Sequence, residues 1–542
     1  MTTDNAALLR PRAIRGLAVP GRVDPRRAAP TIVAAAFAIA YVIISPPSLD
    51  LAAHLLRAKL FTSEGFGLWN NWWYAGHNVP GYSVVFPAVA ALLTPQVAAG
   101  IAAVGSAALF EVLLRDHFGE DAWLGALWFG AATATSLYTG RLTFAFGLLP
   151  AIASAVALQR GRPWAATLLA VLTALASPVA ALFAALAGGA YAVGSYASAR
   201  RIRPALPGVA VAIAALAPVG ALAVAFPEGG SEPFTFATLW PIVLISLFVL
   251  VVLPGREPTL RAGIVLYIAG CILSYKVATP VGSNVARLGP LVAGPLAAAI
   301  LWPTRKLLLV LVAIPLLYLQ WQAPIRDVST AARDPSLATG YYQPVLSFLD
   351  RQPGPPFRVE IPFTSFHWEA YEVAPRFSLA RGWERQLDIK DNALFYNGTL
   401  NPATYEAWLH ELGVRFVAVA DAPLDYSAHQ EKTLIDGGLP YLRLVFRSRH
   451  WRVYEVVGAT PIAQGTATLT AVGPNSLTLH ANRPGKAFLR VRYSPYWALS
   501  EGFGCVAPAG QFTELTLRHA GSVRLVMSFA LDRIGARSPR CG

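Results

Sequence analysis

Over the first 322 residues, long uncharged runs alternate with short clusters of arginine; beyond that point the rhythm stops. The uncharged runs are 28–49, 122–140, 142–159, 163–199, 204–227, 233–254, 262–275, 288–304 and 307–325. A helix needs about 20 apolar residues to cross a bilayer, so most runs predict one span each. The run 163–199 is too long for one helix, and Ser177-Pro178 near its centre predicts a turn between two. The stretch 78–110 is broken at Thr94-Pro95; 83–93 predicts a short juxtamembrane or re-entrant helix and 97–114 a full span. The pattern predicts a polytopic α-helical membrane protein with about eleven transmembrane helices.

After residue 322 the pattern is that of a soluble chain. Residues 323–340 read as a linker. Phe357 to Pro362 predicts a strand, Pro402 to Leu412 a helix, Val414 to Ala420 a buried strand, and Leu442–Arg447 with Trp451–Val457 a hairpin. Together these give an α/β domain over 323–460. Period-two runs at Ala467–Val472, Ser476–His480, Phe488–Tyr493 and Ser522–Phe529 predict a β-sandwich over 461–542. The segment Arg492 to Trp497 suits a sugar platform as well as a packed core. The remaining divisions are a basic tail, 1–29, and a membrane domain, 30–322, with an external loop at 46–87.

Composition sharpens this picture. The chain is 55% hydrophobic and only 14% charged, against about a quarter charged in ordinary soluble domains. Its net charge of +14 has no basic stripe with interleaved aromatics, so nucleic acid is not an expected partner. Lys and Arg instead orient the spans. With the N-terminus inside, 16 cations of the membrane part fall on the cytoplasmic side. Five fall outside: Arg57, Lys59, Arg141, Lys276 and Arg287. The first span reads as uncleaved, and the C-terminal part is expected outside the cytoplasm, on a bacterial cell membrane. Cys505 and Cys541 both lie in that exported part, where disulfides persist, and are expected to be joined. Cys271 falls within a span. No metal-ligand spacing, phosphate-binding glycine loop or nucleophile elbow is present.

The five outside cations go against the orientation rule and so predict an anion site. The loop 46–87 carries the accompanying chemistry. Asp50, His54 and Arg57 stand at i, i+4 and i+7, which places them on one helix face. Trp69, Trp72, Trp73 and Tyr74 follow, then Gly76, His77 and Tyr82. A carboxylate, a histidine and cations beside a stacking surface suit a lipid-linked sugar phosphate. Aromatics here also suit an interfacial belt, and Asp50 also suits a helix N-cap after Pro46-Pro47.

The loop resembles that of the GT-C superfamily of polytopic glycosyltransferases. It is most similar to the bacterial branch described as a membrane domain related to 6-pyruvoyl-tetrahydropterin synthase. The shared features are Asp50, His54, Gly67-Leu68-Trp69, Gly76 and the Tyr82 to Pro87 entry into the next helix. Asn284 to Pro290 resembles a late-helix Arg motif, with Arg287 as the Arg. The resemblance covers about 320 residues and rests mostly on hydropathy. It implies a polyprenyl-phosphate sugar donor, an extracytoplasmic glycan or glycolipid acceptor, and an inverting displacement with one carboxylate as general base. Asp50 is the candidate base. His54, Arg57, Lys59, Trp69, Trp72, Tyr82, Arg141, Lys276 and Arg287 are the candidate substrate contacts. Leu51 stands where many relatives have a second acid, which weakens a metal-dependent variant. No cofactor is called for, and a divalent metal is left open. The alternative is a non-catalytic flippase or scaffold for cell-envelope glycan assembly.

Overall fold

The computed structural model describes residues 24–542; most of the basic tail, including Arg10, Arg12, Arg15 and Arg22, lies outside them. The helical part begins with α1 (Pro25–Ile44), α2 (Leu51–Glu64), α3 (Phe86–Leu93) and α4 (Pro95–Phe118). It continues with α5 (Trp123–Tyr138), α6 (Leu142–Gln159), α7 (Pro163–Ala176), α8 (Pro178–Ala199) and α9 (Leu206–Ala225). It ends with α10 (Phe236–Val252), α11 (Pro258–Lys276), α12 (Leu288–Leu301) and α13 (Lys306–Ala331). Eight helices among the described residues are long and apolar enough to cross a membrane; α7 and α10 are shorter and apolar. Outward-facing Ile32, Ile39, Val251, Leu307 and Ile314 are more than half exposed, as suits side chains that face lipid.

Local rules explain the breaks. Pro95, Pro163 and Pro178 each stand in the first turn of a helix, where the missing N–H costs nothing. The Thr94 and Ser177 side chains accept from Val97 N and Ala180 N and so cap α4 and α8. Close helix contacts use small residues: a Cβ on Gly188 would stand 2.6 Å from the Gly208 carbonyl oxygen, so α8 and α9 touch along their backbones.

The expected linker at 323–340 is not one. α13 continues to Ala331, through Arg326 and Asp327, and only a short 3-10 turn (Pro335–Leu337) follows. Charges here mark the end of the apolar stretch, not the end of the helix. Helix propensity does not account for this extension, since Asp327, Val328, Ser329 and Thr330 are all weak helix formers.

The α/β domain contains α14 (Gln343–Leu349), β3 (Arg358–Glu360), α15 (Glu369–Glu372), α16 (Arg385–Asp391), α17 (Pro402–Leu412), β4 (Val414–Ala420), α18 (His429–Asp436), β5 (Leu442–Arg447) and β6 (Trp451–Val456). Strands β1 (Trp69–Asn70) and β2 (His77–Asn78) form a small ribbon in the external loop. The sheet order is β3-β4-β6-β5, with β3 and β4 parallel and the other pairs antiparallel. The sandwich runs from β7 (Ala463–Gly465) through β8 (Ala467–Val472), β9 (Ser476–Ala481), β10 (Gly485–Arg492) and β11 (Trp497–Glu501). It closes with β12 (Gly504–Ala509), β13 (Phe512–Leu517), β14 (Gly521–Met527) and β15 (Arg540–Cys541). One sheet is β15-β12-β13-β10-β7 and the other β11-β14-β9-β8. Leu477, Leu479, Ala487, Leu489 and Val491 alternate inward to form its core.

The external loop ties these parts together. Trp69 lies in the sandwich core, edge-on to Trp497 with ring centroids 5.6 Å apart. Trp72, Trp73 and Tyr74 lie in the α/β core. Between them Asn71 reaches the β8–β9 turn, its N–H donating to the Pro474 carbonyl at 2.7 Å and its Nδ2 to that of Gly473 at 3.0 Å.

Cys505 and Cys541 face each other across β12 and β15 and are joined. The bridge spans 36 residues, for which chain entropy gives roughly 4 kcal/mol of stabilisation. Replacing both by Ser should lower the unfolding midpoint of the sandwich without changing its sheet content by circular dichroism. Thiol labelling of both residues in native protein without reductant would contradict the bridge.

Candidate functional site

The first turn of α2 sets the site. Asp50 holds the N-cap position, with φ −92° and ψ −6°, but its side chain makes no capping hydrogen bond. The carboxylate is therefore not spent on the helix end. It is half-buried. Burial raises its pKa above the ordinary carboxylate range, while Arg287, then Arg141, then Arg57 pull it back. No Lys or Arg nitrogen among the described residues comes within 4.0 Å of it. Three cations thus surround Asp50 closely enough to act on its charge without closing an ion pair.

Each cation is delivered by a different element. Arg57 lies two turns along α2, buried, its guanidinium 3.5 Å from the centroid of the Tyr82 ring. Its Nη2 donates to Glu384, which precedes α16, and its Nη1 is buried with no partner. Arg287 ends a 3-10 turn (Gly282–Arg287) before α12. Arg141 stands in the tight α5–α6 connection. Burial and then the charge of Arg287 lower its pKa to about 10, so it is a cation at neutral pH. Neither Arg141 nor Arg287 makes an ion pair or a side-chain hydrogen bond to any described residue.

His54 positions Arg141. Its ring is wholly buried, with Nε2 3.0 Å from the Gly140 carbonyl oxygen. A carbonyl only accepts, so Nε2 carries the proton. Burial, then the charge of Arg57, lowers the His54 pKa to about 3, and the ring is neutral. Gly140 has φ +74°, and a Cβ there would collide with Ser48 Oγ. The histidine, expected to contact substrate, instead fixes the turn that presents Arg141.

Tyr82 completes the wall. Burial raises its phenol pKa, opposed first by Arg57. Asp327 of α13, buried, acts on both Asp50 and Arg141. Glu232, before α10, is felt by Asp50, Arg287 and Arg385. Asp327 and Glu384 were not among the sequence candidates.

The structure thus brings together Asp50, His54, Arg57, Tyr82, Arg141 and Arg287. It does not bring in Lys59, Lys276, Trp69 or Trp72. Lys59 is exposed, 5.8 Å from the Tyr371 ring centroid. Lys276 is exposed at the end of α11. Trp69 and Trp72 are 4% and 8% exposed, so their faces are consumed by protein packing and offer no platform to a sugar. Among the described residues no three His, Cys, Asp or Glu side chains gather as a metal site.

Beside the cluster a cavity of about 720 Å³ opens among α4, α6, α8, α10, α11 and α12. Ala286 and Leu288, the neighbours of Arg287, line one end, and His117 and Gln159 line the other. Between them its wall is mostly apolar. No family model matches the chain, and no curated protein matches it at a significant level.

The buried Arg57 and Glu384 pair joins the membrane part to the α/β domain. Removing one partner of such a pair costs about 3–5 kcal/mol, because the other charge is stranded. Glu384→Gln should therefore raise hydrogen exchange across Leu51–Glu64. The double variant Arg57→Met with Glu384→Leu should be less destabilised than either single change. Strict additivity of the two singles would show that the pair is not coupled.

Proposed function

We propose that the protein is an integral membrane glycosyltransferase of GT-C type, with all eleven helices α1 and α4–α13 crossing the bilayer of a bacterial cell. The α/β domain and the sandwich lie outside the cytoplasm. The observation that carries this reading is a pair of guanidinium groups without ion-pair or hydrogen-bond partners among the described residues, Arg141 and Arg287, acting on a carboxylate, with the chain neighbours of Arg287 lining an apolar cavity. A polyprenyl phosphate has matching chemistry: an anion for the arginines and a hydrocarbon tail for the cavity. Arginine forks can grip phosphate oxygens bidentately.

Asp50 takes the proton from an acceptor hydroxyl of an envelope glycan or glycolipid. The hydroxyl oxygen attacks the anomeric carbon of the donor sugar, and the carbon–oxygen bond to phosphate breaks with its electron pair. Arg141 and Arg287 stabilise the charge gathering on the departing phosphate. The unpartnered Nη1 of Arg57 is a third donor. The raised pKa of Asp50 makes its carboxylate a better base than an exposed aspartate.

A non-catalytic lipid flippase or scaffold is the second reading. It is favoured by one feature, the reach of the cavity from Gly289 to His117 and Gln159, toward the opposite loop layer.

Asp50→Asn separates the two. The variant keeps size and capping ability, so it should fold and insert normally. On the transfer reading it loses roughly 10²-fold or more of the activity measured with polyprenyl-phosphate sugars and an envelope acceptor in lipid. On the flippase reading lipid movement persists and Asn is neutral. Wild-type turnover by Asn would remove Asp50 as base.

The acid limb of the rate profile is a further check. The base must be deprotonated, and its pKa is raised, so wild-type kcat/KM should begin to fall above the ordinary carboxylate range as pH drops. Arg287→Ala removes the strongest opposing charge and should move that limb to higher pH. An unmoved limb in a variant that still turns over would assign it to another group.

A further inference from the structure

A second polar site lies in the α/β domain, next to the Glu232 loop. Arg385 at the start of α16 grips Asp425 with both arms: Nη1 donates to Oδ1 at 3.0 Å and Nη2 to Oδ2 at 2.7 Å. The pair is only 12% exposed on each side. Aromatic rings surround it. The Arg385 guanidinium is 4.7 Å from the centroid of Tyr426, 5.3 Å from Trp383 and 5.9 Å from Tyr396. Tyr426 is 61% exposed, so one face of its ring is open beside the ion pair.

Beneath Trp383 the backbone is strained. His367 has φ +54°, its ring stacks on Trp383 at 3.7 Å, and it is wholly buried. Both ring nitrogens lack a hydrogen-bond partner, and Nε2 lies 3.6 Å from Asp425 Oδ2. Buried polar groups without partners are rare and call for an explanation, and left-handed backbone at non-glycine residues is enriched at binding and active sites.

The 228–232 loop connects the patch to the candidate site. A Cβ on Gly230 would overlap the carbonyl of Gln386, so the 228–232 loop lies directly on α16. Glu232 on that loop feels both Arg385 and Asp50.

We infer that Trp383, Arg385, Tyr396, Asp425 and Tyr426 form a saccharide-binding subsite that holds the acceptor glycan beside Asp50. A pyranose offers one face of C–H groups for an aromatic ring and vicinal hydroxyls that both donate and accept. An exposed tyrosine beside an arginine–aspartate pair meets both needs, with an apolar face and a few fixed polar groups. The inference rests on the transfer reading for its role, but binding can be measured without it.

Full-length protein in lipid nanodiscs should be titrated with defined oligosaccharides, each free and as a lipid-tagged glycolipid. Wild type should bind at least one sugar class. Tyr426→Ala should weaken that binding on the order of tenfold, while Tyr426→Phe retains it. In transfer assays Tyr426→Ala should raise acceptor KM with little change in kcat. Preference for the tagged series would mark a glycolipid acceptor, and equal binding a free glycan. Unaltered saccharide affinity in Tyr426→Ala, or no binding by wild type at millimolar concentration, would overturn the subsite even if Asp50 proves to be the base. Binding that depends on Tyr426 together with a neutral Asp50→Asn would keep the subsite and discard the transfer reading.

Discussion

Four aromatic residues within Trp69 to Tyr74 divide between two hydrophobic cores. Trp69 is packed in the sandwich and Trp72 to Tyr74 in the α/β domain, yet all four belong to a loop between α2 and α3. Burying a tryptophan removes 150–250 Å² of mostly apolar surface from water. Together the rings bury apolar surface that anchors the loop to both domains. Trp73 adds a hydrogen bond, its Nε1 donating to the Ala370 carbonyl at 3.1 Å. Arg492 adds another, with Nε donating to the Tyr74 carbonyl at 2.8 Å. The remaining site geometry depends on this seam. Glu384 reaches Arg57 only because the α/β domain is fixed against α2.

The seam also explains the electrostatics. Arg57 would be costly as an isolated buried cation, and Glu384 and the Tyr82 ring compensate it. Among the described residues Arg141 and Arg287 make no ion pair of this kind, and Arg287 has only the Phe144 ring, 5.8 Å from its guanidinium. Their charges bear on Asp50 and on each other, and Asp327 offsets part of that repulsion. A fold that holds two guanidinium groups together without partners suits an anionic ligand. His54 contributes through shape: a neutral ring that holds the Gly140 carbonyl keeps Arg141 in place without adding a fourth like charge.

Much of this was legible in the chain, for physical reasons. Uncharged runs located the helices because lipid disfavours charge, and Ser177-Pro178 marked the α7–α8 break because proline suits the first turn of a helix; prolines within helices, such as Pro150 and Pro241, broke nothing. Period-two runs located β8, β9, β10 and β14 because one face of each is buried. The spacing of Asp50, His54 and Arg57 was visible because it is local. Glu384 was not: it meets Arg57 across 327 residues of sequence, and nothing local marks it. The tryptophans misled for a related reason. A ring that binds sugar and a ring that seals a domain have the same sequence signature, and only the partners, about 300–400 residues downstream, tell them apart. Asp327 was hidden because a charged turn reads as a linker whether or not the helix continues through it.

The central claim is that Arg141 and Arg287 hold the phosphate of a lipid whose tail enters the neighbouring cavity. A density map of the full-length protein in nanodiscs containing a polyprenyl phosphate tests it most directly. The account predicts phosphate density within hydrogen-bond reach of both guanidinium groups, beside Asp50, with tail density running past Leu288 into the cavity. Lipid phosphate bound elsewhere, with the cavity filled only by bulk lipid and the two arginines turned away from it, would contradict it.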